Sequence, residues 1–500
     1  MAPDTLLVAI AVAAAAAAAR FFALPLLRKK TTQIGGGESF RPPPSPPGLP
    51  ILGNLLALGT LPHQTLRKLA AAYGPVMGIK LGFVRMVVVS SFATAQKFLR
   101  EPVFMDRPGG DISAYLTYGQ QKGILNSEYG TNWRESRNLC LSHMLSTRKI
   151  QAFRGMRNAE IHRLLHFLKK AAEGDSKPVD LTEAVASTTM AIVFRILFGK
   201  ISGDEATIQK TVKEATQLAG VFNINDYLPF IGFLDLNGVR RRMKAVRRVY
   251  DSLFEEVIDK YCRSLNEGMK VEDSVIASIL SSMGTQYDRV NLKAILMDTI
   301  TAGTDSSATA VEWTMSELLR HPRVMRKLQQ ELEEAVGMDR MVEEEDLPRL
   351  HYLEMVIKES MRLHPVAPLI PRAVREDCVV GGFQFEKGNQ VVVNLWAMGR
   401  DPSEWVDPEA FYPERFEGAG GGSEDRDGLD SGILPFGAGN RRCPGMQMGL
   451  TTVRFVVAQL VHCFDWELPG ELDMSEKFGL SLARAKNLLA VPTYRLRPGS

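Results

Sequence analysis

The first thirty residues contain a long apolar run, residues 5–27, that only Arg20 interrupts. About 20 mostly apolar residues are enough for a helix to cross a bilayer. The basic residues 28–30 follow directly, and positive charges at this place hold the next part of a chain in the cytosol. We therefore predict a membrane anchor at residues 1–30. A cleaved signal peptide would begin with a basic stretch and an organelle transit peptide would be rich in serine, so both fit less well.

Residues 31–54 are rich in glycine and proline. Glycines allow the chain to swivel, and the prolines of residues 42–47 favour an extended, semi-rigid strut. The composition predicts a linker that holds a folded body away from a membrane. A disordered tail or a ligand for an SH3-type domain would have a similar composition.

From residue 55 onward the pattern is that of a folded domain. Residues 76–91 contain two short apolar runs around a glycine, which predicts two strands and a turn. Most of residues 140–364 shows helical spacing, with helices that end at glycine or proline. We find no internal repeat and no second linker of comparable length. We predict one large, mainly α-helical domain with a small β-sheet region at residues 55–500.

The segment 294–319 is apolar on nearly every side, as in a buried helix, but its middle is polar from Gly303 to Ser307. Glycine and side chains that compete for backbone hydrogen bonds favour a local kink, with polar groups facing a cavity. A buried Asp305 beside the hydroxyl of Ser306 would form a proton-delivery pair. A hydrogen-bonded core aspartate with serines bonded to the helix backbone explains the segment equally well.

Glu359 and Arg362 lie three residues apart in a helix that Pro365 ends, so they share one face and can form an ion pair. Arg415, in the stretch PERF, would be a third member if the fold brings it close. Such a pair is usually a surface bridge that contributes little. A buried network would be kept for its geometry more than for net stability.

Charge and cysteine usage exclude several classes of protein. The formal net charge is +3, with 60 basic and 57 acidic residues, so nothing general favours nucleic-acid binding. A basic cluster at residues 240–248 resembles a nucleic-acid patch in isolation, but a solvated helix face near an anionic membrane surface is the better interpretation. The five cysteines are scattered without a CxxC pair, which disfavours a disulfide framework and a zinc site and indicates a reducing compartment.

One of these cysteines, Cys443, lies in the glycine-bracketed stretch PFGAGNRRCPG, residues 435–445. A cysteine thiolate can be the axial ligand of haem iron and favours cleavage of the O–O bond of dioxygen. Glycines let the backbone pass close to a flat macrocycle, and backbone N–H groups can tune the sulfur. Arg441 is placed to pair with a haem propionate through charge-assisted hydrogen bonds.

These stretches together, with KESMR before PERF and AGTDSS in the long helix, resemble the cytochrome P-450 superfamily of haem-thiolate monooxygenases, and they do so in order through almost the whole chain after the linker. The resemblance implies the cytochrome P-450 fold and haem b as cofactor. It implies that Cys443 is the metal ligand, supported by Phe436 and Gly439. It also implies that Arg441, Trp133, Arg137 and Arg372 hold the haem propionates.

The resemblance further assigns Glu359, Arg362 and Arg415 to a structural triad, and Asp305 and Ser306 to the acid and alcohol that deliver protons during catalysis. The family usually has threonine at the alcohol position. Serine keeps the hydroxyl but lacks the methyl group that restricts its rotamer, so we expect less efficient coupling of electrons to product.

The stretches 222–244, 462–469 and 478–496 resemble the plant microsomal enzymes of specialised metabolism, which include flavonoid, phenylpropanoid and terpenoid hydroxylases. This implies a single-pass protein of the endoplasmic reticulum membrane with a cytosolic catalytic domain. No flavin domain is visible in the sequence, so a separate NADPH-cytochrome reductase must supply the electrons. Arg134 and Arg442 are candidate docking residues, although both fit simple surface charges nearly as well.

The resemblance also places a set of mostly apolar residues around the substrate, which favours a small hydrophobic or aromatic compound as the substrate beside O2, or else simply marks core positions. The set is Tyr115, Leu125, Ile300, Ala302, Val366, Leu369, Leu480 and Leu482. Two other functions stay open: a haem-thiolate isomerase or dehydratase that needs no reductase, and a non-catalytic haem-binding sensor.

Overall fold

The structure is a computed structural model that describes residues 42–174, 177–199, 205–235, 237–267, 273–283, 288–418 and 432–497. The predicted anchor, residues 1–30, and the first part of the predicted linker, residues 31–41, lie outside the described residues. Residues 42–500 are assigned to one compact unit.

Helices dominate the described chain, as predicted. In chain order they are α1 (Pro62–Tyr73), α2 (Phe92–Arg100), α3 (Thr131–Cys140), α4 (Thr147–Ala152), α5 (Arg154–Ala172), α6 (Leu181–Phe198), α7 (Glu205–Gly220), α8 (Val239–Asn266), α9 (Val275–Met283), α10 (Arg289–Arg320), α11 (Pro322–Val336), α12 (His351–Leu363), α13 (Leu395–Met398) and α14 (Met446–Cys463). Two π-helical turns, Ile112–Leu116 and Leu141–Leu145, lie between them.

The strands are short: β1 (Val76–Leu81), β2 (Val84–Val89), β3 (Val179–Asp180), β4 (Leu369–Ala373), β5 (Cys378–Val380), β6 (Phe383–Phe385), β7 (Gln390–Asn394), β8 (Phe464–Glu467), β9 (Glu476–Lys477), β10 (Ala483–Arg484) and β11 (Leu489–Tyr494). The largest sheet has the order β1-β2-β7-β4, and in it only β2 and β7 are parallel. The predicted hairpin at residues 76–91 is β1 and β2, joined by a turn in which Gly82 has a φ of 59°.

The predicted central helix is α10, which passes through the largest hydrophobic core. Its N-cap is Asp288, whose carboxylate accepts hydrogen bonds from the N–H groups of Val290 and Asn291. Ile300, Val311 and Met315 have no exposed surface, and α6, α12 and α14 pack around the helix. The helix therefore gives the site a rigid, buried support.

Residues 43–54 of the predicted linker contact the sheet. The N–H of Gly78 donates to the carbonyl of Pro44 at 2.8 Å, and the N–H of Asn54 donates to the carbonyl of Lys80 at 2.6 Å. Among the described helices, only α6 is long and apolar enough to cross a membrane, and half of it is buried inside the domain.

The basic cluster at residues 240–248 lies on α8, and several of its charges are engaged within the protein. Arg240 pairs with Asp111 at 2.6 Å and Arg242 pairs with Glu214 at 2.7 Å. The helix face that we expected to be solvated therefore makes some contacts within the protein. These contacts form because α8 packs beside the π-helical turn Ile112–Leu116 and beside α7.

Candidate haem site

The stretch around Cys443 is a loop that leads into α14. The N–H of Cys443 donates to the carbonyl of Phe436 at 2.9 Å, which closes the loop. Gly439 has a φ of 67°, and a Cβ there would lie 2.5 Å from the carbonyl oxygen of Leu99. Glycine is therefore required at 439 both by its backbone conformation and by the close approach of α2.

All five cysteines are described, and only Cys443 is exposed. Protein atoms around the thiol raise its pKa by displacing bulk water, whereas the N–H of Gly445 and the charges of Arg137 and Arg442 act in the opposite direction. Gly445 is the N-cap of α14, so this N–H belongs to the free donors at the start of a helix. Burial has the larger effect, so the pKa of Cys443 lies above its ordinary value. These donors and charges act toward the thiolate, the form in which cysteine binds a metal.

Arg441, Trp133 and Arg137, the residues expected to hold the haem propionates, lie next to one another. Arg441 donates to the carbonyls of Met105 at 2.7 Å, Ile124 at 3.2 Å and Ser127 at 2.5 Å. Its guanidinium lies 4.6 Å from the ring centroid of Trp133, and that of Arg137 lies 5.4 Å away. The indole N–H of Trp133 donates to the carbonyl of Ile124 at 3.2 Å.

Arg372, on β4, is 2% exposed and donates to the carbonyl of Pro371 at 3.1 Å. Arg107, which the sequence did not single out, donates to the same carbonyl at 2.7 Å, and no described residue forms a hydrogen bond with its Nε. Burial lowers the pKa of Arg107 to about 10 and that of Arg441 to about 9. Burial also lowers the pKa of Arg372 well below its ordinary value, and the charges of Arg107 and Arg441 add to the effect.

These three guanidiniums test whether the site fits haem. A guanidinium stays protonated in proteins, so the lowered pKa values express the cost of holding positive charge with reduced hydration and with too little negative charge nearby. Within the described part of the chain, none of the three forms an ion pair with a carboxylate. Two propionate groups would supply the missing negative charge, and the exposed Cys443 lies near Arg137 in the same region. The residues therefore fit haem b.

Asp305 and Ser306 lie midway along α10, which continues through them without interruption. The hydroxyl of Ser306 donates to the carbonyl of Ala302 at 2.6 Å, and Asp305 is half-buried next to it. Burial raises the pKa of Asp305, and the hydroxyl of Ser481 opposes this rise. Serine does bond back to the helix, as one of the two sequence interpretations held, while Ala302 is exposed beside it.

The structure brings Glu359, Arg362 and Arg415 together. Arg362 donates to both carboxylate oxygens of Glu359, at 2.7 and 2.8 Å, and Arg415 donates to one of them at 2.9 Å. The Arg362–Glu359 side chains have no exposed surface. Arg362 also donates to the carbonyls of Gly399, Pro408 and Ala410, so the pair ties α12 to the segment that precedes the Cys443 loop.

Asp298 is a site residue that the sequence interpretation missed. Its carboxylate accepts hydrogen bonds from the N–H groups of Ile124, at 2.6 Å, and Leu125, at 3.0 Å. Trp133 and Arg441 both donate to the carbonyl of Ile124. Asp298 therefore links α10 to the segment that Trp133 and Arg441 hold. A charged residue within an otherwise apolar helix was the available signal for Asp298. Arg107 carried no comparable signal, since it lies in a loop.

The predicted substrate-lining residues separate into two groups. Ile300 and Leu482 have no exposed surface and belong to the core. Leu125, Val366, Leu369 and Leu480 are half-buried and Ala302 is exposed. Tyr115 is half-buried, with its ring under the side chains of Arg240, at 5.3 Å, and Lys244, at 4.8 Å.

The family model described as Cytochrome P450 matches residues 43–491. Cytochrome P450 CYP736A12 of Panax ginseng is 43% identical over 472 residues, which cover 91% of this chain and 93% of that protein. Flavonoid 3'-monooxygenase of Arabidopsis thaliana is 38% identical over 480 residues, 92% of each chain. A solved zebra fish cytochrome P450 with progesterone has a TM-score of 0.74 at 26% identity and covers 87% of this chain and 99% of its own. The family model, the fold and these relatives confirm the resemblance, and the chain belongs to the cytochrome P450 family of haem-thiolate monooxygenases.

Proposed function

We propose that this chain hydroxylates a flavonoid-type aromatic metabolite, with electrons from NADPH delivered by a separate reductase. The observation that carries the cofactor assignment is the cluster of the half-buried Arg107 with the buried Arg372 and Arg441 near Cys443, none of which pairs with a carboxylate among the described residues. The substrate class is supported by the 38% identity to flavonoid 3'-monooxygenase of Arabidopsis thaliana over 92% of both chains.

In this proposal Cys443 ligates the haem iron, and Arg107, Arg372 and Arg441 hold its carboxylates. When bound, haem supplies the iron centre at which dioxygen is reduced and one oxygen atom is inserted into the substrate. Gly445, the N-cap of α14, donates its N–H toward the sulfur and favours its anionic form. The Glu359–Arg362 pair keeps the segment before the loop in place.

Asp305 and Ser306 would manage the protons that oxygen reduction consumes. Burial raises the pKa of Asp305, so it gives up a proton more reluctantly than an aspartate in water but still exchanges it. Ser306 can rotate its hydroxyl away from the Ala302 carbonyl to pass a proton on. The half-buried apolar side chains of Leu125, Val366 and Leu480 would exclude water and accept the flat, apolar body of an aromatic substrate.

The reductase and the membrane complete the proposal. Arg134 is exposed and directly follows Trp133, and Arg442 is half-buried and directly follows Arg441. A positive face at this place would attract an acidic electron donor. The anchor proposed at residues 1–30 would hold the enzyme at the endoplasmic reticulum membrane, where both partners diffuse in one plane.

The test uses the full chain in membranes with an NADPH-cytochrome reductase and flavonoids that carry a 4'-hydroxyl group. We expect one atom of ¹⁸O from ¹⁸O2 in the 3'-hydroxylated product, and a reduced carbon monoxide spectrum typical of thiolate ligation. Cys443→His should abolish that spectrum, whereas Cys378→Ser, a matched change at another cysteine, should not.

The alternatives give different results. Conversion of substrate without reductase would favour an isomerase or dehydratase. A thiolate spectrum without substrate-stimulated NADPH consumption, for flavonoids and for terpenoids, would favour a sensor. Product from terpenoids alone would keep the monooxygenase but overturn the flavonoid assignment.

A further inference from the structure

The hairpin of β9 and β10, residues 476–484, is attached to the rest of the domain through both of its strands. Glu476 of β9 pairs with Arg484 of β10 within the hairpin. Arg484 donates to the hydroxyl of Ser316 at 2.5 Å, which attaches the second strand to α10. The first strand is attached to α1 and α13 by the side chain of Glu476.

The carboxylate of Glu476 accepts hydrogen bonds from three side chains. One oxygen lies 2.8 Å from Nε2 of His63 and 2.7 Å from the amide nitrogen of Gln64, both in the first turn of α1. The indole N–H of Trp396, on α13, donates to the other oxygen at 2.8 Å. An ionised carboxylate only accepts hydrogen bonds, so all three groups are donors. A single side chain therefore joins β9 to two helices.

This network is shielded from water. The side chain of His63 has no exposed surface, and that of Glu476 is 7% exposed. Burial acts to raise the pKa of Glu476, but the hydrogen bonds that it accepts outweigh burial and hold the pKa at about 2. The carboxylate is therefore ionised, and hydrogen bonds to an ionised group are stronger than those between neutral groups.

The imidazole of His63 also contacts the turn that follows β9, residues 478–482. Its ring stacks on that of Phe478, with centroids 5.8 Å apart and an angle of 19° between the planes. His63 thus contacts the strand through Glu476 and the first residue of the turn through Phe478. The position of the turn therefore depends on a residue of α1.

The rest of the turn contacts elements of the proposed substrate site. The N–H of Leu482 donates to the carbonyl of Val366 at 2.8 Å, and the indole N–H of Trp313 donates to the carbonyl of Leu482 at 2.7 Å. A Cβ on Gly220, the last residue of α7, would overlap the backbone nitrogen of Leu480. Leu480 thus lies between a closely packed helix end and the two attached ends of the turn.

We propose that Glu476 and His63 position the turn 478–482, and that the turn in this place limits the length of the aromatic ligand that the site accepts. This inference rests on the proposed function, in which Leu480 and Val366 contact the substrate. Glu476 and His63 are positioning residues, because they act through the turn. When the turn is released, Leu480 can move away, and a longer ligand should bind better relative to a shorter one.

The first measurement is hydrogen exchange at the N–H of Leu482 in the haem-loaded full chain, because this rate reports local opening of the turn. Glu476→Ala removes three hydrogen bonds to a charged group, so we expect exchange to be at least about tenfold faster. His63→Phe keeps an aromatic ring but loses one donor, and it should exchange about threefold faster. His63→Gln keeps a nitrogen donor and should exchange as the parent does.

Asp473→Asn is the matched control. Asp473 lies just before β9, and its carboxylate forms a partly exposed pair with Lys486 at 2.8 Å. The change therefore removes a nearby negative charge but leaves the Glu476 network intact, and the exchange rate of Leu482 should equal that of the parent.

The second measurement compares the dissociation constants of N-phenylimidazole and the longer N-biphenylylimidazole, followed by the change in haem absorption. Both bind iron through an imidazole nitrogen. We expect Glu476→Ala and His63→Phe to favour the longer ligand over the shorter by about threefold or more. The ratio of the two dissociation constants should stay at the parent value in His63→Gln and Asp473→Asn.

Unchanged Leu482 exchange in both Glu476→Ala and His63→Phe, or equally fast exchange in Asp473→Asn, would overturn the positioning of the turn. Faster exchange with an unchanged ratio of dissociation constants would overturn its control of ligand length. If Glu476→Ala does not load haem, His63→Phe decides both questions. Neither measurement uses a flavonoid, so a lack of flavonoid product would refute the proposed function without altering either result.

Discussion

Replacement of Arg372 by methionine is expected to increase the free energy of unfolding of the haem-free chain and to weaken haem binding. Arg372 is 2% exposed, and its hydrogen bond to the carbonyl of Pro371 is its one such bond among the described residues. Burial and the charges of Arg107 and Arg441 all oppose its charged form. A methionine of similar length would fill the same space without a charge.

Arg441 indicates the magnitude. Its pKa falls from 12.5 to about 9, mainly through burial, and at about 1.4 kcal/mol for each pKa unit this disfavours the charged form by roughly 5 kcal/mol. Arg441 recovers part of this through its three hydrogen bonds to carbonyls, whereas Arg372 has one. Replacing buried charges by packed apolar side chains often stabilises a protein by about 1–4 kcal/mol, and we expect a gain in that range for the haem-free Arg372→Met chain.

In the haem-bound chain Arg372→Met should be unfavourable, because the haem carboxylates neutralise the charges of Arg107, Arg372 and Arg441. A hydrogen bond to a charged group contributes about 1.5–3 kcal/mol, so Arg372→Met should release haem about 10- to 100-fold faster. Urea unfolding of the haem-free chain measures the first effect, and transfer of haem to excess apomyoglobin measures the second.

Arg375→Met is the control, since Arg375 is exposed on the same segment and its pair with Asp106, at 3.2 Å, is partly solvated. It should change both quantities little. A haem-free Arg372→Met chain that is less stable than the parent would refute the electrostatic argument. An unchanged rate of haem transfer would refute the assignment of the cluster to the propionates.

Three further changes test other parts of the site. Glu359→Ala leaves the buried Arg362 without its partner, so we expect a loss of about 3–5 kcal/mol in the free energy of unfolding, measured with urea; a loss below about 1 kcal/mol, typical of surface pairs, would contradict this. Burial raises the pKa of Asp298 from 3.8 to about 6, so between these values the folded state binds more protons than the unfolded state, and Asp298 makes stability fall as pH rises through this range. Asp298→Asn should remove this component from the pH profile of thermal unfolding, and an unchanged profile would be evidence against it. Ser306→Thr should raise the ratio of product to hydrogen peroxide, because the added methyl group restricts the rotamer; an equal ratio would sink the expectation.

Features that depend on residues close in the sequence could be predicted, whereas contacts between remote segments could not. The Cys443 loop was predictable because its glycines and donors act within one short stretch, as the Cys443–Phe436 hydrogen bond illustrates. The β1–β2 hairpin and the buried helix α10 were predictable because burial imposes a period on the sequence. The ion pair of Glu359 and Arg362 followed from helical spacing.

The sequence by itself therefore determined the fold class, the ligand loop and the central helix, since each depends on neighbouring residues. Only the tertiary structure decided which partners the charged groups have. Arg107, Arg372 and Arg441 come from three distant segments and form one cluster because the loop that holds Arg107 contacts both β4 and the Cys443 loop. The partner of a buried group is set by the packing of remote elements, which leaves no period or spacing in the sequence.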